Sequence, residues 1–93
     1  KLKEMNLWLR KHRTLPLKIL IEKLNQKLVG HYRYYGVTHN VGMLIKYHYY
    51  VVNMLFKWLN RRSQKRSYTW ETFHMMQIHY PIAYPKRYIN LYG

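Results

Sequence analysis

Apolar residues recur at helical spacing over two long stretches, and this periodicity most constrains the fold of the chain. In the first stretch, residues 16–35, one face carries Leu17, Leu20, Ile21, Leu24, Leu28, His31 and Tyr35. In the second stretch, residues 41–61, the corresponding face carries Val41, Ile45, His48, Val52, Leu55, Phe56 and Leu59. A period near 3.6 residues is typical of amphipathic helices. We therefore predict two long helices that pack through these faces.

Capping and turn residues indicate where the long helices begin and end. Thr14 can cap the first of them, and Pro16 suits its first turn, where a missing N–H costs little. Gly36 is a natural stop, and Asn40 can cap the next helix. Gly30 falls inside the first long helix, where it costs about 1 kcal/mol relative to Ala. Close approach of another helix, or a local break, would explain it.

Shorter helices are predicted at both ends of the chain. Residues 1–13 form the first, with an apolar face of Leu2, Met5, Trp8 and Leu9. Thr69 caps the last and Pro81 ends it; its apolar residues are Trp70, Phe73, Met76 and Ile78. Residues 82–93 look extended. The predicted fold is all-α: a small bundle of three to four helices with a basic interhelical loop and an extended C-terminal tail.

The charge of the chain is strongly one-sided. Seventeen Lys and Arg face three Glu and no Asp, which gives a formal net charge of +14. This self-repulsion would be relieved by a polyanionic partner. Nucleic acid is the leading candidate and an anionic membrane surface the second, although no apolar run reaches the roughly 18 residues of a membrane-spanning helix. The 93 residues fit one domain, and a start at Lys1 suggests an excerpt of a longer protein.

The cations are predicted to lie on one continuous surface. The second long helix, residues 41–61, is the third predicted helix of the chain and is labelled α3. Opposite its apolar face fall five residues that we call the α3 stripe: Lys46, Tyr50, Asn53, Lys57 and Arg61. The stripe continues into residues 62–68, the basic connection. Cations neutralise phosphates, and short polar groups donate hydrogen bonds to them. The predicted nucleic-acid-binding residues are Arg33, Lys46, Tyr50, Asn53, Lys57, Asn60, Arg61, Arg62, Ser63, Gln64, Lys65, Arg66 and Ser67.

Residues for covalent chemistry are scarce. The three carboxylates, Glu4, Glu22 and Glu71, fall on three separate predicted helices and form no evident acid–base pair. The chain has no Cys, and His31 and His48 lie on apolar faces, where packing is a commoner role than metal binding. We therefore expect no catalytic residue, no metal site and no cofactor in this chain.

Two segments resemble signature patterns of one protein family. Residues 24–36, LNQKLVGHYRYYG, and residues 57–70, KWLNRRSQKRSYTW, are similar to the two signatures of the maturase-specific domain of group II intron-encoded reverse transcriptases. This domain is also called domain X or the thumb. The resemblance covers about residues 14–80, with both patterns in the family's order. Val29 and His31 depart from the first pattern.

The resemblance implies both a fold and a function. The domain is a largely helical unit that follows the fingers and palm, helps to hold intron RNA for splicing, and grips template–primer during reverse transcription. Implied partners are group II intron RNA, the template–primer duplex and the parent's fingers and palm, with no membrane partner. Because the chain has no Asp, the aspartates and Mg²⁺ of the polymerase site belong elsewhere in the parent. The location would be cytoplasmic in a bacterium and organellar in a eukaryote.

The resemblance also marks residues expected to maintain the structure. They are Gly30, Tyr35, Gly36, Trp58 and Trp70, and it carries over Asn25 and Tyr34 as well. We expect both Trp rings to pin the basic connection between two helices rather than to stack on bases. We therefore predict that residues 1–93 form a single thumb or maturase-type domain. Two alternatives stay open: the thumb of a reverse transcriptase that does not splice and grips an RNA/DNA hybrid, and a basic module that docks on an acidic protein or a membrane.

Overall fold

Four helices form a small bundle in the computed structural model, which describes residues 2–35, 41–61 and 68–85. They are α1 (Leu2–His12), α2 (Leu17–Tyr35), α3 (Val41–Leu59) and α4 (Trp70–His79). The predicted all-α class is confirmed. The predicted stop at Gly36, the cap at Asn40, residues 62–67 and residues 86–93 lie outside the described residues.

The first two helices begin close to their predicted starts. In α1, Met5 and Leu9 are buried, whereas Trp8 is half-buried. The α2 helix begins at Leu17, and the N–H of Leu20 donates to the carbonyl of Pro16 at 2.9 Å. Because that carbonyl accepts the first helical bond, Pro16 lies at the N-cap, one residue earlier than its predicted place in the first turn.

The buried face of α2 differs from the predicted one at its C-terminal end. Leu20, Ile21, Leu24 and Leu28 are buried as predicted, but Tyr32 continues the face, and His31 and Tyr35 are only half-buried. Tyr32 tolerates full burial because its hydroxyl donates to the carbonyl of Ala83 at 2.9 Å. His31 stacks instead on Tyr47, with ring centroids 4.1 Å apart.

The predicted third helix is present, but the side of it that faces the core differs from the predicted apolar face. The buried residues are Leu44, Val51, Leu55, Trp58 and Leu59. Val41, Ile45, Val52 and Phe56, predicted as core, are half-buried, and so is His48. Apolar residues surround most of this helix, so periodicity alone does not fix which of them face the core. Packing against α1 fixes it, since the indole N–H of Trp58 donates to Asn6 Oδ1 on α1 at 2.8 Å.

Thr69 caps α4 as predicted. Its side-chain oxygen accepts from the N–H of Thr72 at 3.1 Å, and the Thr72 hydroxyl oxygen accepts from the N–H of Thr69 at 2.9 Å. This reciprocal arrangement satisfies two otherwise unpaired backbone donors. Phe73 and Met76 are buried, but Ile78, predicted on the apolar face, is 71% exposed. Five residues separate it from Phe73, which places it on the other side of the helix.

The segment after α4 is fixed to α2 by side-chain hydrogen bonds. Asn25 donates from Nδ2 to the carbonyl of Pro81 at 2.9 Å and accepts the N–H of Ala83 on Oδ1 at 2.8 Å. Ile82, Ala83 and Pro85 are buried. A side-chain amide can pair with backbone in this way because it carries both a donor and an acceptor. The described part of the predicted tail therefore belongs to the bundle.

Neither close approach of another helix nor a local break, the two predicted explanations, accounts for Gly30. α2 runs unbroken through it, and a Cβ built at this position would meet nothing within 4 Å. The residue is exposed. No contact among the described residues explains why the helix carries a glycine here.

Candidate nucleic-acid interface

The α3 stripe lies on the solvent side of its helix, opposite the residues that pack against α1. Lys46, Tyr50, Lys57 and Arg61 are exposed. Asn53 is half-buried, and its Nδ2 donates to the carbonyl of Tyr49 at 2.8 Å. From Lys46 to Lys57 the stripe spans about 16 Å along α3, and Arg61 continues it in the turn after the helix. It presents cations spaced over several turns, which suits a polyanion with charges at regular intervals.

Trp58 lies at the end of the stripe and is 7% exposed. Three cations surround its ring: the Lys57 ammonium lies 4.9 Å from the ring centroid, and the guanidinium carbons of Arg13 and Arg61 lie 5.2 Å and 5.6 Å away. Each such contact contributes roughly 0.5–2 kcal/mol, depending on how far the cation is desolvated. Cationic side chains from the end of α3 and from the turn after α1 therefore contact the same ring.

Trp70, the other motif tryptophan, is placed differently. It is 45% exposed and stacks on Phe56 with centroids 3.9 Å apart and an interplanar angle of 9°. Its edge-to-face contact with Phe73 has a centroid separation of 5.7 Å. Trp70 therefore packs the start of α4 against α3, with one part of its ring open to solvent.

Asn60 fixes the backbone where the basic connection ends. Its Oδ1 accepts the N–H of Tyr68, and its Nδ2 donates to the carbonyl of Tyr68 at 3.2 Å. Both polar groups of this half-buried side chain are therefore engaged within the domain. Asn25 makes a similar pair of bonds, so each of the two signature segments uses an Asn to hold backbone: Asn60 holds Tyr68 eight residues later, and Asn25 holds the distant segment after α4.

The remaining predicted site residues are only partly brought together. Six of them, Arg62, Ser63, Gln64, Lys65, Arg66 and Ser67, lie outside the described residues. The chain leaves for this segment at the exposed Arg61 and returns at the clamped Tyr68. Arg33 is exposed on α2, where it lines a surface depression with Glu22 and Gly30 but with no residue of the α3 stripe.

Two titratable groups near α3 have shifted pKa values. Burial raises the pKa of Tyr47, and the charges of Glu4 and Tyr35 add to the effect. Burial lowers the pKa of His48, whose ring meets the edge of Tyr84 at a centroid distance of 5.1 Å. A lowered pKa keeps His48 neutral near pH 7, so it contributes packing rather than charge to this surface.

Sequence reasoning missed Arg13 as a member of the interface. Arg13 follows α1, far from both signature segments, and reaches the cationic surface only because the Trp58–Asn6 hydrogen bond joins α3 to α1. Periodicity does not reveal such a long-range contact. Among the described residues, no group of three His, Cys, Asp or Glu is placed to hold a metal ion. No helix in the described part of the chain is long and apolar enough to cross a membrane.

A small helical bundle with exposed cations along one helix and a strongly basic sequence between α3 and α4 defines a class of basic helical domains suited to polyanions. The chain matches the model of the group II intron maturase-specific domain over residues 1–75, and it belongs to that family. The match starts in α1 and ends inside α4. No curated protein and no solved structure matches the chain. Membership implies a maturase function in group II intron splicing, in which this domain is a non-catalytic part of a reverse transcriptase or maturase.

Replacing Asn60 by Ala is expected to lower the free energy of unfolding by about 1–3 kcal/mol, because two backbone groups of Tyr68 lose their partner. Asn60→Asp keeps an acceptor for the Tyr68 N–H and loses only the donor, so it should cost less. Denaturant unfolding of both variants measures the difference. Equal stability of Asn60→Ala and the unmodified chain would contradict a clamping role.

Proposed function

We propose that this domain binds group II intron RNA through the α3 stripe and the basic connection, and that its parent uses the same surface to grip template–primer. The observation that carries the proposal is the exposed pair Lys46 and Lys57 on α3, opposite its buried face, together with the exposed Arg61 in the turn after the helix. Tyr50, 42% exposed on the same row, offers an aromatic face beside these cations. Family membership supplies RNA splicing as the context.

The arrangement favours a nucleic acid over a lipid surface. A helix that binds membranes needs a free apolar face beside its cations. On α3 the apolar residues Leu44, Val51 and Leu55 are buried in the bundle, and the large apolar side chains left exposed are isolated ones such as Met43 and Tyr49 rather than a continuous aliphatic face. The stripe itself is polar and cationic apart from one Tyr, which fits a phosphate backbone better than an acyl-chain boundary.

The proposal assigns this domain a positioning role. Lys and Arg side chains hold phosphates but stay protonated, so they make poor proton-transfer groups. We propose that the reacting groups are supplied by the intron RNA in splicing and by the Mg²⁺-dependent palm of the parent in polymerisation, with no cofactor in this domain. The site of action would be the cytoplasm of a bacterium or an organelle of a eukaryote.

Binding to structured RNA is expected to weaken steeply with salt. If about six phosphates are neutralised, the log–log slope of affinity against salt concentration should be near −4 to −5. Titration of the domain with structured RNA, RNA/DNA hybrid and anionic vesicles at several salt concentrations measures it. A flat response with RNA would contradict the proposal, preference for the hybrid would favour a thumb without a splicing role, and preference for vesicles would favour membrane docking.

A matched pair of charge reversals localises the surface. Lys46→Glu lies on the α3 stripe and Lys18→Glu on α2; both positions are exposed, and both changes lower the net charge equally. The first should reduce the salt slope by about 1 and weaken RNA binding about tenfold or more, whereas the second should have a much smaller effect. Equal losses would show that net charge, rather than this surface, determines binding.

A further inference from the structure

The cations around Trp58 are unusually close for groups of like sign. Arg13, Lys57 and Arg61 each lie within 5.6 Å of one ring centroid. No two of these charges can therefore be farther apart than twice that distance, which is comparable with the Debye length of about 8 Å at physiological ionic strength. Salt therefore reduces their mutual repulsion at this range without abolishing it.

Among the described residues, no carboxylate offsets this repulsion. The described residues include every Glu of the chain, and none of these forms an ion pair with the three cations. The π face of Trp58 attracts each cation individually but carries no net charge. Three cations around one ring, with no carboxylate paired to them in the described part of the chain, form an electrostatic setting in which one bound anion can interact favourably with all three.

The turn after α1 explains how Arg13 reaches this place. The N–H of Leu15 donates to the carbonyl of His12 at 3.1 Å and closes a turn around Arg13. The Asn6–Trp58 hydrogen bond holds α1 against the end of α3. Arg13 is half-buried, so its position is set by packing, whereas Lys57 and Arg61 approach the ring from α3 and remain exposed.

We infer that Arg13, Lys57 and Arg61 jointly bind a single phosphodiester group, with Trp58 as the common support of the three side chains. The inference rests on the proposed function and makes it specific: the RNA contact includes Arg13, which lies outside both signature segments. The bound group is the phosphate rather than a base, because a ring that is 7% exposed offers almost no face for stacking. Guanidinium groups suit phosphate oxygens, which they can contact with two parallel hydrogen bonds.

Salt dependence can count the phosphates that these cations neutralise. Replacing Arg13, Lys57 and Arg61 together by Gln removes three charges while keeping the aliphatic stems over the ring. If the three share one phosphate, the log–log slope for structured RNA should become shallower by about 1, whereas three separate phosphates would change it by about 2–3. The matched control replaces Lys3, Arg10 and Lys11, three exposed cations of α1, by Gln and should leave the slope nearly unchanged.

If the triple variant folds poorly, single variants test the shared phosphate site instead. Arg13→Gln alone should weaken RNA binding about tenfold, Arg13→Lys should recover part of that loss, and Arg10→Gln should bind like the unmodified chain. Thermal melting confirms that each protein compared is folded. Arg13→Gln binding as tightly as Arg10→Gln, or a triple-variant slope change of about 2–3, would overturn the shared site while leaving RNA binding intact. Failure of the unmodified chain to bind RNA would overturn the proposed function itself, and the shared site with it.

Discussion

Replacing Trp58 by Ala is expected to lower the free energy of unfolding by about 3–5 kcal/mol. The ring is 7% exposed, so truncation leaves a cavity between α1 and α3. Asn6 also loses the indole donor that reaches its Oδ1 at 2.8 Å. Denaturant unfolding followed by circular dichroism measures the loss, and RNA binding should be compared at a temperature where the variant remains folded.

Trp70→Ala is the internal comparison for this prediction. Its ring is 45% exposed and loses mainly a stacking partner in Phe56, so the destabilisation should be clearly smaller. Trp58→Phe separates the two contributions of Trp58, because it keeps an aromatic ring and removes the hydrogen bond, at a cost of about 1 kcal/mol for that bond. If Trp58→Ala lowered the free energy of unfolding no more than Trp70→Ala does, the predicted role of Trp58 in packing α1 against α3 would be contradicted.

The functional consequence of Trp58→Ala follows from the cations around the ring. Without it, Arg13, Lys57 and Arg61 keep their charges but lose their common support. Affinity for RNA should then fall even in the folded variant, because three unrestrained side chains lose conformational entropy when they converge on one phosphate. Unchanged affinity in a folded Trp58→Ala variant would show that the ring does not organise these charges.

Local features of this fold could be predicted from the sequence, because their causes lie within a few residues. Thr69 caps α4 through a residue three positions away, and Pro81 follows the last helical residues directly. The α3 stripe could be predicted for a related reason. A run of polar and cationic residues on one side of a helix remains at the surface even if the buried side is rotated by one residue.

Features that depend on distant contacts could not be predicted in this way. The rotation of α3 is set by the contact of Trp58 with Asn6, and the clamps made by Asn25 and Asn60 need partners that no periodic pattern specifies. Arg13 joins the candidate site for the same reason. The family resemblance marked both Asn residues, but it could not show that each side chain is hydrogen-bonded to the backbone of a later segment.

The second large effect on stability is expected at the C-terminal end of α2, where the buried face differs from the predicted one. Tyr32, rather than His31, occupies the core and is fully buried, so Tyr32→Ala should lower the free energy of unfolding by about 3–5 kcal/mol. His31 is half-buried, and its replacement by Ala should cost considerably less. Urea unfolding of the two neighbouring variants, measured in parallel, ranks them. A larger loss of stability for the His31 variant would instead support the buried face of α2 that was predicted from periodicity.

Tyr32→Phe isolates the contribution of the hydroxyl group. The hydroxyl donates to the Ala83 carbonyl at 2.9 Å, and Asn25 holds the N–H of the same residue, so the segment after α4 is attached to α2 at two adjacent points. Removing the hydroxyl leaves a buried carbonyl without its donor, at a cost of about 1–3 kcal/mol. Because each bond keeps the segment in place for the other, Tyr32→Phe and Asn25→Ala should together cost less than the sum of the single changes, as expected for two bonds that support one another. Simple additivity in a double-mutant cycle would show instead that the two bonds act independently.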